Sequence, residues 1–220
     1  LVAGSKKLPR PEDLIEEILR MSDTAADIAM FGRMLADNPM YNREAAVQVA
    51  HAITTHRVDV EDDFYTAVDD LKKPSEDAGA GFIGELGFGS GVFYLYACID
   101  QQLLMRNLGG DPALAGKAIA GLIEGLATAS PTGKQASFAA RSRASYLRLE
   151  RGSQQPRSLA AAFFKPVRGD DLLDESVKRM TDLAAQMDAA YGQCFDAFEI
   201  MDVAGNVGSL DKSIAFAAVE

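Results

Sequence analysis

At 220 residues the chain is long enough for one large domain or two small ones, it holds no run near the roughly 18 apolar residues a spanning helix needs, and no signal-peptide pattern points to export. Two distant cysteines, Cys98 and Cys194, fit a reduced, cytoplasmic setting. The net charge of −10 speaks against a polyanionic partner on average, because phosphate needs cations, but the average hides two blocks. Residues 59–77 hold eight carboxylates and two lysines, a net of −6. Residues 133–168 carry Lys134, Arg141, Arg143, Arg148, Arg151, Arg157, Lys165 and Arg168 against Glu150 alone, a net of +7. A solvated surface balanced by acids elsewhere would look the same on charge alone.

Pro11 suits a first helical position, and Leu14, Ile15, Ile18 and Leu19 follow at helical spacing, which predicts an amphipathic helix to about Met21. "DIAMFGRM" predicts a strand, since Ile28 and Met30 alternate with Ala29 and Phe31 before Gly32 interrupts. "AVQVAHAITTH" predicts a clearer one, with Val47, Val49, His51 and Ile53 on one face and Gln48, Ala50, Ala52, Thr54 and His56 on the other. From Arg57 to Gly91 the pattern loosens into an acidic, glycine-rich insertion, read as a long hairpin arm. There "KKPSEDAGAG" is turn or loop chemistry, and "GELGFGSG" has too many glycines for a stable strand interior. "GVFYLYACI" is a strong strand of aromatic and branched residues.

Asp111 and Pro112 open a predicted helix with Leu114, Ala118, Leu122 and Leu126 along one stripe. After the turn "SPTGKQ", the segment "ASYLRLER" alternates Leu147 and Leu149 against Tyr146, Arg148 and Glu150, a half-buried strand with arginine outward. A last helix runs from about Asp171 to Tyr191, with Leu173, Val177, Met180, Ala184 and Met187 inward and Gly192 at its end. Strands and helices intermix without regular alternation, so the class is α+β.

His51 and His56 invite a metal reading, but a spacing of five puts them on opposite faces of a strand, or about 140° apart on a helix. A helical zinc pair wants spacing four, and the calcium-loop pattern is absent. Asp59, Glu61, Asp62 and Asp63 remain the carboxylates that a metal-dependent nuclease or hydrolase would use. Phe64 and Tyr65, adjacent aromatics in the acidic arm, read either as an anchor pinning the arm or as a stacking surface for bases of any identity. Other motifs fail. Thr128 stands where a phosphate loop needs its first glycine and Gln135 where it needs Ser or Thr, while Val92 occupies the third glycine of a dinucleotide fingerprint. Lys134 can still meet a phosphate as a point charge, and Arg148 is the next cation in line.

In order, "FGRM" (31–34), "VAHAITTHRVD" (49–59), "FYTAVDDL" (64–71), "SGVFYLYACID" (90–100) and "PTGKQ" (131–135) resemble the CasC family, backbone subunits of the type I-E CRISPR surveillance complex Cascade. The resemblance runs from about Ala25 to Tyr191. It implies a palm of the RNA-recognition-motif (ferredoxin-like) kind with inserted helices and a protruding thumb hairpin. Copies would stack head to tail along a guide crRNA, with other Cascade subunits as partners. Each thumb would displace a base at intervals and leave the rest displayed for target DNA, in antiviral defence. It implies no catalysis, no cofactor, no metal and no membrane. Met34 matches a methionine packed on the guide's bases, with Arg33 beside it; Phe64 and Tyr65 match the thumb's aromatic pair; Lys134 and Gln135 lie in the shared "GKQ".

On that template residues 1–56 form a helix and palm strands, 57–90 the thumb insertion, 91–192 palm and helical elements, and 193–220 a tail without a role. A first palm strand and a basic segment would precede Leu1, so an unpaired sheet edge is expected. A third reading is an interaction module whose acidic arm binds a basic protein.

Overall fold

A computed structural model describes residues 10, 11, 13, 14, 17, 18, 25–67 and 82–218. Its elements in chain order begin with α1 (Ala26–Phe31), β1 (Val47–Val49), β2 (Ile53–Thr54), β3 (Glu61–Ala67), β4 (Phe82–Phe88), β5 (Phe93–Tyr94) and β6 (Ala97–Ile99). There follow α2 (Gln101–Asn107), α3 (Pro112–Thr128), α4 (Gln135–Phe138), β7 (Tyr146–Arg151), α5 (Leu172–Tyr191), β8 (Ala197–Asp202) and α6 (Leu210–Ala217). The class is α+β, and the described strands pair as four two-stranded antiparallel sheets, β1–β6, β2–β5, β3–β4 and β7–β8. Two compact units result: residues 1–50, 97–157 and 187–220, and residues 51–96 and 158–186.

The first unit buries Ala29, Ala46, Leu104, Leu108, Ala115, Ala118, Ile119 and Ala217 in one core, with Met30, Ile99, Leu103 and Leu149 against it. Three of its helices, α2, α3 and α6, start on side-chain caps. Asp100 Oδ1 accepts from the Leu103 N–H at 2.8 Å, Asp111 Oδ1 from Leu114 at 3.0 Å, and Ser209 Oγ from Lys212 at 3.2 Å. On α3 the buried positions are Ala115, Ala118, Ile119 and Ala127. The expected stripe through Ala118 is present, but alanines rather than Leu114, Leu122 and Leu126 hold its deepest line.

Residues 26–31 are helical, not the expected strand. Ala26, Ala29 and Met30 meet the core at the three- and four-residue spacing of a helix, and the short apolar run reads either way in sequence. Gly32 ends α1 at φ 79°, where a Cβ would sit 2.9 Å from the Arg43 carbonyl oxygen. The two long strands are each interrupted. "AVQVAHAITTH" breaks between β1 and β2, and "GVFYLYACI" between β5 and β6, both where the chain passes from one unit to the other. Val47 is buried and Val49 exposed, so the predicted alternation ends early. Past Gly192 (φ 83°) the chain forms β8, which pairs with β7 in the register Arg148↔Ile200, and then α6, which enters the core.

In the second unit β3 and β4 form an antiparallel hairpin from Glu61↔Phe88 to Ala67↔Phe82. The glycine-rich "GELGF" is therefore a strand, contrary to expectation, and residues 72–81, expected as a loop, lie outside the described residues. Of the predicted first helix Pro11, Asp13, Leu14, Glu17 and Ile18 are helical, and the remainder also lies outside them. Thr55 is buried, its hydroxyl 2.8 Å from that of Ser176 on α5. Tyr94 packs 5.3 Å from the Phe163 ring centroid and accepts the Leu159 N–H at 2.9 Å. Asp171 Oδ1 caps α5 through the N–H groups of Leu173 and Asp174. Leu173, Val177, Met180 and Met187 are half-buried and Ala184 buried, as the periodicity predicts.

Candidate nucleic-acid interface

Three segments present side chains suited to a single strand. The first is the loop 33–42. Arg33 and Arg43 exchange backbone hydrogen bonds at 2.9 and 3.0 Å, and the Arg33 guanidinium donates to the Tyr41 carbonyl through Nε (3.0 Å) and Nη2 (2.7 Å). Asn42 Oδ1 accepts the Leu35 N–H at 2.6 Å. Two of the Arg33 donors are thus committed to the loop itself. What the closed loop displays is sulfur: Met34 is 86% exposed and Met40 77%. Methionine adapts to an apolar face of any outline, which suits bases of varying identity.

The second is the β3–β4 hairpin. Successive residues of a strand face opposite ways, so Phe64 and Tyr65 do not form one aromatic surface. Tyr65 lies opposite Gly84, and its ring covers that glycine so closely that a Cβ there would fall 2.3 Å from Cζ. Gly84 is buried beneath a ring that itself remains 51% exposed. An aromatic laid over a cross-strand glycine is held in place before any partner arrives. Phe64, 66% exposed, stands on the other face with Asp62 two residues back and Glu85 across the ladder.

The third is the basic block, which divides. Arg148 is not the outward cation the alternation predicts. Its side chain is 11% exposed, Nε donates to Glu150 Oε1 at 2.8 Å, and the guanidinium lies 5.1 Å from the Phe198 ring centroid and 5.7 Å from that of Phe195. The face that holds Tyr146, Arg148 and Glu150 is covered by the segment past residue 193, for which the sequence pattern suggested no role. Arg157, 7% exposed, joins Glu150 at 2.8 Å and Asp188 at 2.6 Å. Hydrogen bonding to Glu150, then to Asp188, outweighs burial and raises its pKa above the usual arginine value, so it stays charged. Lys134, by contrast, is exposed at φ 59° on the loop between α3 and β7 and has no ion-pair partner among the described residues. Gln135 turns inward: Nε2 donates to the carbonyls of Pro131 (2.5 Å) and Ala140 (2.7 Å).

The sequence profile of the CT1975-like protein family matches residues 3–213. The chain belongs to that family. It is similar to a chain in a structure described as "CRISPR RNA-guided surveillance complex, pre-nicking", with a TM-score of 0.78 and 29% identity over 96% of its own length and 61% of the other's. It is also similar to one described as "CRISPR RNA-guided surveillance complex", with a TM-score of 0.72 and 28% identity over 94% of its length and 84% of the other's. The chain therefore spans under two thirds of the first of these and most of the second. No curated protein sequence matches it.

In this CT1975-like protein the two histidines and the described acids at the base of the hairpin arm do structural work or face solvent. His56 Nε2 accepts the Val92 N–H at 3.1 Å, which leaves the proton on Nδ1 to meet the Arg57 carbonyl at 2.7 Å. His51 is exposed in the break between β1 and β2. Glu61 and Asp63 share one face of β3 and Asp62 the other, while Asp59 pairs with Arg57 at 3.0 Å. Among the described residues no three His, Cys, Asp or Glu side chains group so as to hold a metal ion, and no helix is long and apolar enough to cross a membrane. Met40, Arg141 and Arg143 are candidates that sequence pattern did not single out. For Met40 the available signal was a second methionine six residues after Met34, across "NP", a turn-forming pair.

Proposed function

We propose that this CT1975-like protein is a noncatalytic backbone subunit of a type I-E CRISPR surveillance complex, binding guide crRNA along a head-to-tail stack of its own copies. The observation that carries the reading is Met34, nearly fully exposed on a loop pinned by Arg33 and Asn42, in a chain that aligns over 96% of its length with a surveillance-complex chain. An apolar side chain so exposed costs hydration unless something covers it, and the bases of a guide strand suit that role in a chain similar to those of RNA-guided complexes. Guide sequence must vary, so grip comes from stacking, shape and phosphate charge rather than base-edge readout.

Roles then follow by segment. Met34 and Met40 pack on bases. Tyr65, braced over Gly84, is the wedge beside the displaced base, and Phe64 extends the contact from the opposite face of the thumb. Asp62 and Glu85 flank Phe64 and repel phosphate, so this surface favours a base over a backbone. Lys134 holds phosphate. Arg33 and Gln135 support these contacts from behind, while Arg148 is committed to Glu150 and the rings of Phe195 and Phe198 within the fold. A palm of the RNA-recognition kind is supported by the first unit, which holds the antiparallel pairs β1–β6 and β7–β8 together with α2, α3 and α6. The acidic thumb orients each copy on its neighbour's basic surface, a head-to-tail contact between unlike patches.

The test is to titrate the chain with single-stranded RNA of increasing length, following anisotropy and negative-stain images. Binding that tightens with length and yields RNA-dependent filaments, with the RNA intact in magnesium, is the expected result. RNA ignored, or cut in a divalent-dependent way that Asp59, Glu61, Asp62 and Asp63 variants abolish, would replace this reading with another.

A further inference from the structure

The loop between α3 and β7 is built to hold a shape. Ala144 N–H donates to the Ala127 carbonyl at 2.9 Å across its base, and Ser130 Oγ donates to the Ser142 carbonyl at 2.8 Å just above. At its centre Gln135 ties Pro131 to Ala140. Backbone carbonyls only accept, so the amide nitrogen must face them and the side chain is fixed in one orientation. Lys134 and Ala139 take left-handed φ values of 59° and 50°, a strain that such clasps can hold.

Over this frame lies a half-open cleft of about 370 Å³, lined by Thr128, Ser130, Thr132, Gln135, Arg141 and Arg143. Its volume sits at the small end of ligand sites, near that of one nucleotide. Among the described residues no carboxylate lines it. The two guanidiniums have no ion-pair partner among those residues either, although the protein carries a net charge of −10 and Arg148 and Arg157 are both paired. Two like charges converging on one cleft repel each other, and an anion between them reverses the sign of that interaction.

We infer that this cleft is a phosphodiester subsite for the backbone of single-stranded RNA, with Arg141 and Arg143 as its anion ligands and Gln135 as the residue that positions them. The inference deepens the crRNA reading and rests on it for the identity of the strand. Arginine's planar fork matches two phosphate oxygens at once, and the Thr132 hydroxyl is an additional donor in the lining. Sequence plays no part, as a scaffold for variable guides requires.

Two probes separate the site from the wider reading. The first is a labelled oligouridylate, titrated at several potassium chloride concentrations. Arg141→Gln with Arg143→Gln should lower affinity severalfold and reduce the slope of log affinity against log salt by about 0.7 for each phosphate left without its arginine. Arg141→Lys with Arg143→Lys should restore most of the slope. Gln135→Ala leaves every charge in place, so it should lower affinity with the slope unchanged. The second probe is inorganic pyrophosphate, followed by amide chemical shifts of residues 130–143, with saturable changes expected in the parent chain and none in the double glutamine variant. RNA binding with slope and pyrophosphate response both indifferent to the arginines would overturn the subsite. Pyrophosphate binding that depends on the arginines in a chain that ignores RNA would keep an anion site but remove RNA as its occupant, and with it the proposed function.

Discussion

The loop 130–143 and the strand β7 belong to one run of positive charge in the sequence, yet they use it in opposite ways. On β7, Arg148 lies over two phenylalanine rings and is bonded to Glu150, and Arg151 donates to the Phe216 carbonyl at 3.1 Å with its guanidinium 4.9 Å from that ring. Just beyond the strand, Arg157 is closed in by two carboxylates. On the loop, Lys134, Arg141 and Arg143 face outward, and the side chain that turns in is an amide. The difference lies in what each segment is given to pair with. The strand has Asp188 from α5 and the aromatic pair Phe195 and Phe198 laid across it, whereas Lys134, Arg141 and Arg143 of the loop have no ion-pair partner among the described residues. Cations that a fold neutralises cannot also neutralise a ligand.

The sharpest way to break the contrast is Arg157→Ala, which takes from Asp188 its guanidinium partner and leaves Glu150 with Arg148 alone, and should cost about 3 kcal/mol in urea unfolding. A loss near zero would mean the β7 charges are as idle as those of the loop. Next comes Arg148→Ala, which removes one charged hydrogen bond and a guanidinium–ring stack; a loss of about 2 kcal/mol in stability, with RNA affinity per folded molecule and its salt slope unchanged, is expected. The hairpin sharpens the comparison from another side. Tyr65→Ala should lower RNA affinity by about 1–2 kcal/mol, the value of one base stack, again with the salt slope intact, because no charge is removed. The smallest effect belongs to Arg141→Gln with Arg143→Gln, which should leave unfolding stability within about 0.5 kcal/mol of the parent while changing the salt slope. That last pair of readings, stability flat and slope altered, is the reverse of the result expected for Arg148.

Legibility in the sequence followed the supply of local signals. The two long helices were plain because Asp111 with Pro112, and Asp171 with Gly192, mark their ends chemically. The pairing of β3 with β4 agrees with a hairpin, but β4 reads as loop in sequence: Gly84 weakens a strand on its own, and the Tyr65 ring across the ladder makes its missing side chain useful. Helix α1 reads as a strand in sequence because six residues hold fewer than two turns, too short for periodicity to decide. Arg148 was misplaced for a tertiary reason. Alternation said which residues share its face, correctly, but nothing local says that Phe195 and Phe198 will cover that face. Gln135 was named for its motif, and its observed work, clasping two carbonyls, depends on a loop shape that sequence does not print.

The late position of β8 and α6 bears on how the molecule comes into being. The first unit gathers residues 1–50, 97–157 and 187–220, so β8 and α6 leave the ribosome only after β7 and α3, on which they pack. Until then β7 has no partner along the edge that β8 will take, and the place that receives Ala217 stands open between helices already formed. The nascent protein therefore carries an adhesive edge from the emergence of β7 until β8 follows it. The pace at which residues 193–217 emerge, and any chaperone waiting at the exit, becomes part of how many usable copies a cell obtains.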